Sequence, residues 1–470
     1  MITLGARTLA TRLQDWRTAA PAYRSLADRI RLLILDGVIA PGARLPAERE
    51  LAAELRVSRT TIAAAYAALR EDGSIESVRG SGSIARLSSR PIAIPDLAGG
   101  PLDLSKAVMP AYSGLAAAMR STSEQVPAML EGLGFDPLGR DELREAIADR
   151  YTARGLPTTP DQVMVTIGAQ HAITLIARTV LRRGDRVLIE NPTYPHAMDS
   201  IVAAGGRLVA VPVDAVHGWD AAALEQIIER GSPALAYLMP DNHNPTGATM
   251  PTALLERALE LAAAQGTVVL LDETMGELTI DGPTRPPAAA YGPAVMLGSV
   301  GKTLWGGLRV GWVRADPAFI RTLTRARFAS DLGTPAFEQL VVAGLLPDFD
   351  TVLAERVGWL RAGRDHLVTE LARRFPEWRV PVPAGGLTAW VGLGRPASSQ
   401  LALAARAAGL VIAPGPRFAA DGAFERFIRI PYSLSIETTD RALDVLERAW
   451  AGIAGTASPS DVVDDFAEVV

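Results

Sequence analysis

Five short apolar runs, each closing on a polar motif, constrain this chain more than any other feature. They are VMVTIG before AQHA, RVLIENP before TYP, ALAYLMP before DNHNPTG, TVVLL before DET, and AVMLGSV before GK. Each run has the length of a buried strand, and helix-like stretches separate them. That alternation predicts an α/β fold with a largely parallel sheet. Ligands of such sheets bind beyond the carboxyl ends of the strands, which is where the polar motifs fall.

The 47 basic residues are almost all arginine; the only lysines are Lys106 and Lys302. There is no cysteine, which excludes disulfides, thiolate nucleophiles, cysteine zinc sites and iron-sulfur clusters. Lys302 follows the run ending at Leu297, inside GSVGKTLWGGLRVGW. Taken alone, a lysine after a strand is usually a solvated surface residue. A neutral, partly desolvated amine there can instead attack a carbonyl and form a Schiff base. The context favours the second reading. Ser299 and Arg309 flank the lysine, and Gly168, Ala169 and Gln170 offer backbone N–H groups ahead of the helix HAITLIARTV. Helix N-termini and arginine forks both bind phosphate, so a lysine beside a phosphate cradle points to pyridoxal 5'-phosphate. Asp272 can pair with the pyridinium nitrogen, Asn244 can donate to the phenolic oxygen and Tyr194 can stack on the ring. Separately these three read as a helix cap, a turn and core packing. Lys106 has no such neighbours and reads as solvated.

Residues 1–90 hold 14 Arg against 9 acidic residues, while the remainder is acidic. A basic module on an acidic body suggests a nucleic-acid-binding head. From Tyr23 the apolar residues Leu26, Ile30, Leu33 and Ile34 mark one helical face that Gly37 ends. Pro46 opens a second helix ending near Leu55. Ser58 caps a third from Arg59 to about Arg70, with Ile62, Ala65, Tyr66 and Leu69 inward. This is a helix-turn-helix pattern, and Ser58, Arg59, Thr60 and Thr61 stand where the second helix reaches base edges. SIESVRGSGSIAR alternates like a two-stranded wing with Arg79 at its tip. The stretch from about 21 to 87 resembles the winged-helix domain of the GntR family of bacterial regulators, carried by LPAERELA and VSRTTIAAAYAAL. By that resemblance Arg49, Ser58, Arg59, Thr60, Thr61 and Gly80 fall on DNA-contacting positions. A helical hairpin used for dimerisation is the alternative.

FDPLGRDELREAIA, TIGAQHAI, ENPTYP, PDNHNPTG, LLDE, SVGKTLWGGLRVGW and FIRIPYS together resemble the fold-type I aminotransferases over about residues 104–453. The resemblance implies a mostly parallel sheet, a smaller C-terminal subdomain and bound pyridoxal 5'-phosphate. It makes Lys302 the Schiff-base lysine and Asp272 the pyridine partner. Asn244 becomes the phenolic-oxygen donor, Tyr194 the ring-stacking residue, and Ser299 with Arg309 phosphate ligands. It also makes Arg429 the clamp on the substrate carboxylate. Winged helix followed by aminotransferase-like body is the layout of the MocR subfamily of GntR regulators, which implies head-to-tail homodimers. Two positions depart from the pattern: Thr274 stands where relatives carry Tyr, and Gly301 where they carry Ser or Thr. Both departures should weaken cofactor binding or retune the lysine.

The expected organisation is a winged helix-turn-helix over 1–87, a linker over 88–103, an aminotransferase-like domain over 104–455 and an acidic tail over 456–470. Residues 86–103 carry three Pro and two Gly without a period, which reads as an extended connector. The five His show no metal-ligand spacing, so no metal is expected; His243 either lines the pocket or caps a turn. No export signal and no apolar run of membrane length occur, which predicts a cytoplasmic protein. The leading function is a transcription factor whose affinity for double-stranded operator DNA responds to cofactor or to an amino-acid or amine effector. The alternatives are a working aminotransferase with an appended basic domain and a DNA-binding protein whose body only dimerises.

Overall fold

A computed structural model describes residues 3–13, 16–17, 20–35, 38–78, 82–86, 102–420 and 422–454. In the head, helices α1 (Ala6–Leu13), α2 (Ala22–Leu35), α3 (Glu48–Leu55) and α4 (Arg59–Glu71) precede the antiparallel wing β1 (Ile75–Val78) and β2 (Gly82–Ala85). The predicted inward residues of α2 and α4 are buried in one cluster. Helix α1 is an addition to the sequence reading: Leu9 and Leu13 are fully buried in the same cluster, joined by Trp16. Helix α3 starts two residues later than Pro46 would set it. Ala47 is extended as its N-cap, and the buried Pro46 carbonyl accepts a hydrogen bond from Tyr66 Oη at 3.0 Å, which holds it outside the helix. Arg56, left-handed at φ 52°, makes the turn into α4. Gly37, Arg79, Gly80, residues 87–101 of the connector and the tail from 455 lie outside the described residues.

The body begins with β3 (Leu102–Asp103). Its large sheet is built from β4 (Val163–Thr166), β5 (Arg186–Asn191), β6 (Arg207–Asp214), β7 (Gly218–Trp219), β8 (Leu235–Leu238), β9 (Val268–Asp272), β10 (Val295–Ser299) and β11 (Gly311–Arg314). The order is β4-β11-β10-β9-β8-β5-β6-β7. Strands β10, β9, β8, β5 and β6 pair in parallel, whereas β11 and β7 run antiparallel to their neighbours. All five predicted runs are strands of this sheet. Alternate residues face opposite cores: Leu188, Leu238 and Leu271 on one side, Val187, Ile189, Tyr237 and Leu270 on the other. Burial on both faces explains why the runs are continuously apolar.

A smaller C-terminal subdomain holds β12 (Thr388–Gly392), β13 (Leu410–Val411), β14 (Ala413–Pro414) and β15 (Phe427–Pro431). Strands β12, β15 and β14 form one sheet, and β13 pairs in parallel with β3. Its core lies among the helices Phe349–Arg374, Ser398–Ala407 and Ile436–Ala454. Leu32 of α2 is buried in that core, and α2 packs on the Ser398–Ala407 helix. The head therefore docks on the smaller subdomain. Among the described residues no helix is long and apolar enough to cross a membrane, and no cluster of potential ligands fits a metal ion.

Candidate functional site

The carboxyl ends of the large sheet and the edge of the C-terminal subdomain enclose a cavity of about 530 Å³. Ala169, Gln170, Tyr194, Asn244, Asp272, Ser299, Lys302, Arg309 and Arg429 all line it. Lys302 sits in the turn that follows β10, and its Nζ donates to the Ala107 carbonyl at 2.6 Å. Burial and the nearby Arg429 and Arg309 guanidiniums pull its pKa down to about 8, against the opposing pull of Asp272.

Asp272, the last residue of β9, is buried and fully engaged. Tyr237 Oη, reaching over from β8, donates to Oδ2 at 2.6 Å. The Thr274 backbone N–H and hydroxyl both donate to Oδ1, at 3.0 and 2.7 Å. Burial raises the carboxyl pKa, and these donors oppose that rise. Thr274 thus braces Asp272. Gly301 likewise serves Ser299, its N–H donating to Oγ at 3.1 Å while that hydroxyl donates to the Val310 carbonyl at 3.0 Å.

Arg309 adopts a left-handed conformation, φ 54°, and donates through Nη2 to the Ile167 carbonyl at 3.1 Å. That brings it against Gly168, the first residue of the Gly168–Val180 helix. Gly168 has φ +74°, and a Cβ there would lie 2.8 Å from Arg309 Nη2. A Cβ on Gly311 would in turn fall 2.7 Å from the Gly168 carbonyl carbon. Only glycine permits this interlock, which sets an arginine fork beside a helix N-terminus. The Gln170 side chain points sideways, donating to the His196 carbonyl at 3.0 Å and Ser200 Oγ at 2.8 Å.

Arg429, on β15, is buried with its guanidinium 4.8 Å over the Phe418 ring. Nη1 donates to Asn244 Oδ1 at 3.3 Å, Nη2 donates to the Ser105 carbonyl, and Nε has no hydrogen-bond partner among the described residues. Burial lowers its pKa to about 10, so it remains a cation at neutral pH. Tyr194 stands at the start of the Pro195–Ala203 helix, edge-on to His196 at 5.4 Å. Burial pushes its phenol up to about 12.

Of the two readings of His243, lining the cavity is not realised. Its ring is fully buried, Nδ1 lies 2.8 Å from Thr246 Oγ1 and Nε2 lies 3.3 Å from Glu190 Oε2. Glu190 also accepts from Trp219 Nε1 at 2.8 Å and from the Met239 N–H at 3.0 Å, so this group braces the floor. Lys106 is exposed and ion-paired with Asp103 at 3.1 Å, although it stands at the cavity rim. Tyr237, Arg406 and Arg417 were not singled out from sequence. For Tyr237 the available signal was a hydroxyl inside an otherwise apolar run.

In the head, Ser58 caps α4 by accepting the Thr61 N–H at 3.1 Å. Its Oγ lies 2.7 and 2.8 Å from the hydroxyls of Thr60 and Thr61. Arg59 is largely exposed and lies 3.6 Å from Glu48, and Arg49 is exposed on α3. The α4 N-terminus is thus a solvent-facing group of hydroxyls and one arginine.

A doubly covered sheet with a half-buried lysine, a braced aspartate and an arginine beside a helix N-terminus at its strand ends defines an aminotransferase-like protein, and a winged helix precedes it. The chain belongs to the aminotransferase class I and II family, which matches residues 118–446, and its head, residues 22–84, matches the bacterial regulatory proteins of the gntR family. It is a GntR-type regulator fused to an aminotransferase-like domain, the arrangement of the MocR subfamily. A 2-aminoadipate transaminase of Thermus thermophilus is 32% identical over 314 residues, 64% of this chain and 79% of the relative. The probable rhizopine catabolism regulatory protein MocR of Rhizobium meliloti is 28% identical, covering 76% of this chain and 78% of the relative. The crystal structure of LysN, alpha-aminoadipate aminotransferase from Thermus thermophilus, complexed with N-(5'-phosphopyridoxyl)-L-leucine, superposes with a TM-score of 0.70 at 29% identity. The match covers 76% of this chain and 94% of that one. The gntR-type head is a DNA-binding domain. Pyridoxal 5'-phosphate is the cofactor this fold implies, and the glycine-lined cradle and the depressed lysine fit it.

Proposed function

We propose that this protein is a cytoplasmic, homodimeric, DNA-binding regulator whose aminotransferase-like domain senses pyridoxal 5'-phosphate or an amino-acid or amine ligand. When bound, the cofactor supplies an aldehyde and an electron-accepting ring. Lys302 presents the amine. Asp272, braced by Tyr237 and Thr274, holds negative charge for the pyridine nitrogen, and Asn244 faces the phenolic oxygen. Tyr194 covers the ring. The N–H groups of Gly168, Ala169 and Gln170, with Ser299 and Arg309, take the phosphate. Arg429 takes the ligand's carboxylate as a bidentate pair. In the head, Arg59 with Ser58, Thr60 and Thr61 reads base edges, while Arg49 and the wing residues Arg79 and Gly80 hold the backbone. Residues 1–87 form the DNA-binding unit, 88–103 the connector, 104–455 the sensor and 456–470 an acidic tail.

One observation carries this reading: α2 of the head packs on the Ser398–Ala407 helix, and Arg406 of that same helix lines the cavity. A ligand that favours one position of this helix biases the position of the head. For the head-to-tail dimer, the support is Leu130, Leu133 and Phe135, three large apolar residues 70, 94 and 72% exposed within six positions. Such clusters mark association surfaces.

The test is footprinting on the DNA upstream of the protein's own gene, with and without pyridoxal 5'-phosphate. The expected result is a protected site whose pattern or affinity changes with the cofactor, a change lost in Leu32→Ser. Identical protection in both conditions overturns the sensor reading.

A further inference from the structure

Behind the wall that carries Asp272 lies a second, much smaller cavity of about 30 Å³. Arg150, Arg154, Glu273 and Glu277 line it, and it shares two residues, Thr274 and Ser299, with the large cavity. On its outer side it shares Arg150 and Leu346 with a surface groove of about 610 Å³. The three spaces therefore adjoin in series, from the surface to the hydroxyl that braces Asp272. A single water needs about 10–15 Å³. The middle space thus has room for water and for nothing larger.

Glu273 is the group there with unmet hydrogen-bonding capacity. Its Oε1 accepts the Ala288 N–H at 2.5 Å. Its Oε2 is buried without a hydrogen-bond partner among the described residues, and Arg154 Nη1 stays 3.8 Å away. Arg154 lies closer to Glu277, at 3.3 Å, and Arg150 is divided between Glu277 and Asp350. A buried acceptor left dry costs about 1–3 kcal/mol. A water in the adjoining cavity, or a proton on the carboxyl, removes that cost. Burial pushes the Glu273 carboxyl up to about 7; Asp241 and Glu277 add to the rise, while Arg154 and the Ala288 N–H oppose it. The charged and titratable groups facing it are Arg150, Tyr151 and Arg154 from the Asp141–Ala153 helix and its C-cap, Asp241 from the turn after β8, Arg314 from β11, and Glu277 from its own turn. Asp241 is itself paired with Arg285 at 2.7 Å.

Thr274 completes the series. Its hydroxyl donates to Asp272 Oδ1 at 2.7 Å, which leaves the oxygen's lone pairs to accept from a water in the small cavity. We infer that Glu273, a water of the small cavity and the Thr274 hydroxyl form a proton passage from the outer groove to Asp272, so that the carboxylate facing the pyridine nitrogen exchanges protons with solvent from behind the cofactor. Inward, Glu273 gives its proton to the water, the water gives one of its own to Thr274 Oγ1, and Thr274 gives its original proton to Asp272 Oδ1. Glu273 ends as the carboxylate and Asp272 as the acid, with water and threonine unchanged. Glu273 touches neither cofactor nor ligand and is a positioning residue. The inference rests on the pairing of Asp272 with the cofactor proposed above.

The experiment has two arms, both on the full-length protein. Without cofactor, infrared spectra should show a protonated-carboxyl band that titrates near pH 7, shifts promptly on mixing into deuterium oxide, and is missing from Glu273→Gln. A Glu273 band that resists exchange for hours marks a dry cavity and overturns the inference. With nitrogen-15-labelled pyridoxal 5'-phosphate bound, magnetic resonance measures how fast the proton on the ring nitrogen exchanges with water. Glu273→Gln and Thr274→Val should each slow this exchange at least about tenfold, a barrier raised by about 1.4 kcal/mol. Thr274→Ser, which keeps the hydroxyl, should restore it. Exchange unchanged in Glu273→Gln, or equally slow in Thr274→Ser and Thr274→Val, overturns the passage and leaves the sensor reading standing. A protein that takes up no cofactor at all overturns both.

Discussion

Lys302 offers a quantitative test of the site, because a neutral amine is nucleophilic and an ammonium is not. With its pKa pulled down to about 8, roughly one Lys302 in ten is neutral at pH 7, whereas an ordinary lysine near 10.4 is neutral in only about one molecule in 2,500. The ratio is on the order of 200-fold. The hydrogen bond to Ala107 and partial burial reduce access, so the shape of the pH profile is more informative than the absolute rate. The assay is limiting acetic anhydride over pH 6–10 with peptide mass spectrometry. Lys106, the only other lysine, is the internal reference. Labelling of Lys302 should rise tenfold per pH unit and level off just above pH 8, and added pyridoxal 5'-phosphate should protect Lys302 alone. A Lys302 rate still climbing tenfold per unit through pH 9.5 would refute the desolvated-amine reading. The same shift bears on stability. The unfolded chain holds this proton more tightly than the folded one, so below pH 8 the fold carries a penalty of up to about 3 kcal/mol. That penalty is relieved as pH rises from about 8 towards 10.4, and stability should increase across that window.

Arg59→Ala should weaken binding to the upstream DNA by about 1–3 kcal/mol while leaving the cofactor absorbance intact; unchanged affinity in a gel-shift titration sinks the recognition-helix assignment. Tyr237→Phe removes a donor to a buried carboxylate, an interaction worth about 1.5–3 kcal/mol. Cofactor affinity, read by absorbance titration, should fall at least about tenfold, and an unaltered value would mean Tyr237 does not support Asp272. Gly168→Ala must adopt φ +74° and push Arg309 away, at a cost of about 1 kcal/mol or more. Because the damage falls on the phosphate cradle, affinity for pyridoxal 5'-phosphate should drop more than affinity for pyridoxal; an equal drop for both would place the phosphate elsewhere.

The large sheet was legible because strands buried on both faces must be apolar throughout, and the turns leaving them carry the polar motifs. That Lys302, Asp272 and Asn244 gather at those strand ends was readable for that reason. Tyr237 was not, since its partner across the sheet is known only once β8 and β9 pair in register. Arg406 and Arg417 lie in the C-terminal subdomain, and only its closure over the strand ends brings them to the cavity. Of the two sequence readings of His243, the turn cap is the one realised: Nδ1 meets Thr246 Oγ1 within the turn, and the ring lies inward beside Glu190 rather than in the cavity. Helix α1 escaped notice because eight residues with two arginines give too short a pattern to stand out from a loop.

The segment leaving the connector has a mechanical consequence. Strand β3 is clasped to β13, whose Val411 lines the cavity, and within five residues the same segment lends the Ser105 and Ala107 carbonyls to Arg429 and Lys302. The mooring of the tether and the lining of the chamber are therefore one piece of chain. An occupant that claims Lys302 or Arg429 competes with the mooring for its donors. A headless protein cut within 102–107 would consequently be a body with an altered chamber. A cut before Leu102 keeps the mooring and is the one that isolates the contribution of the head.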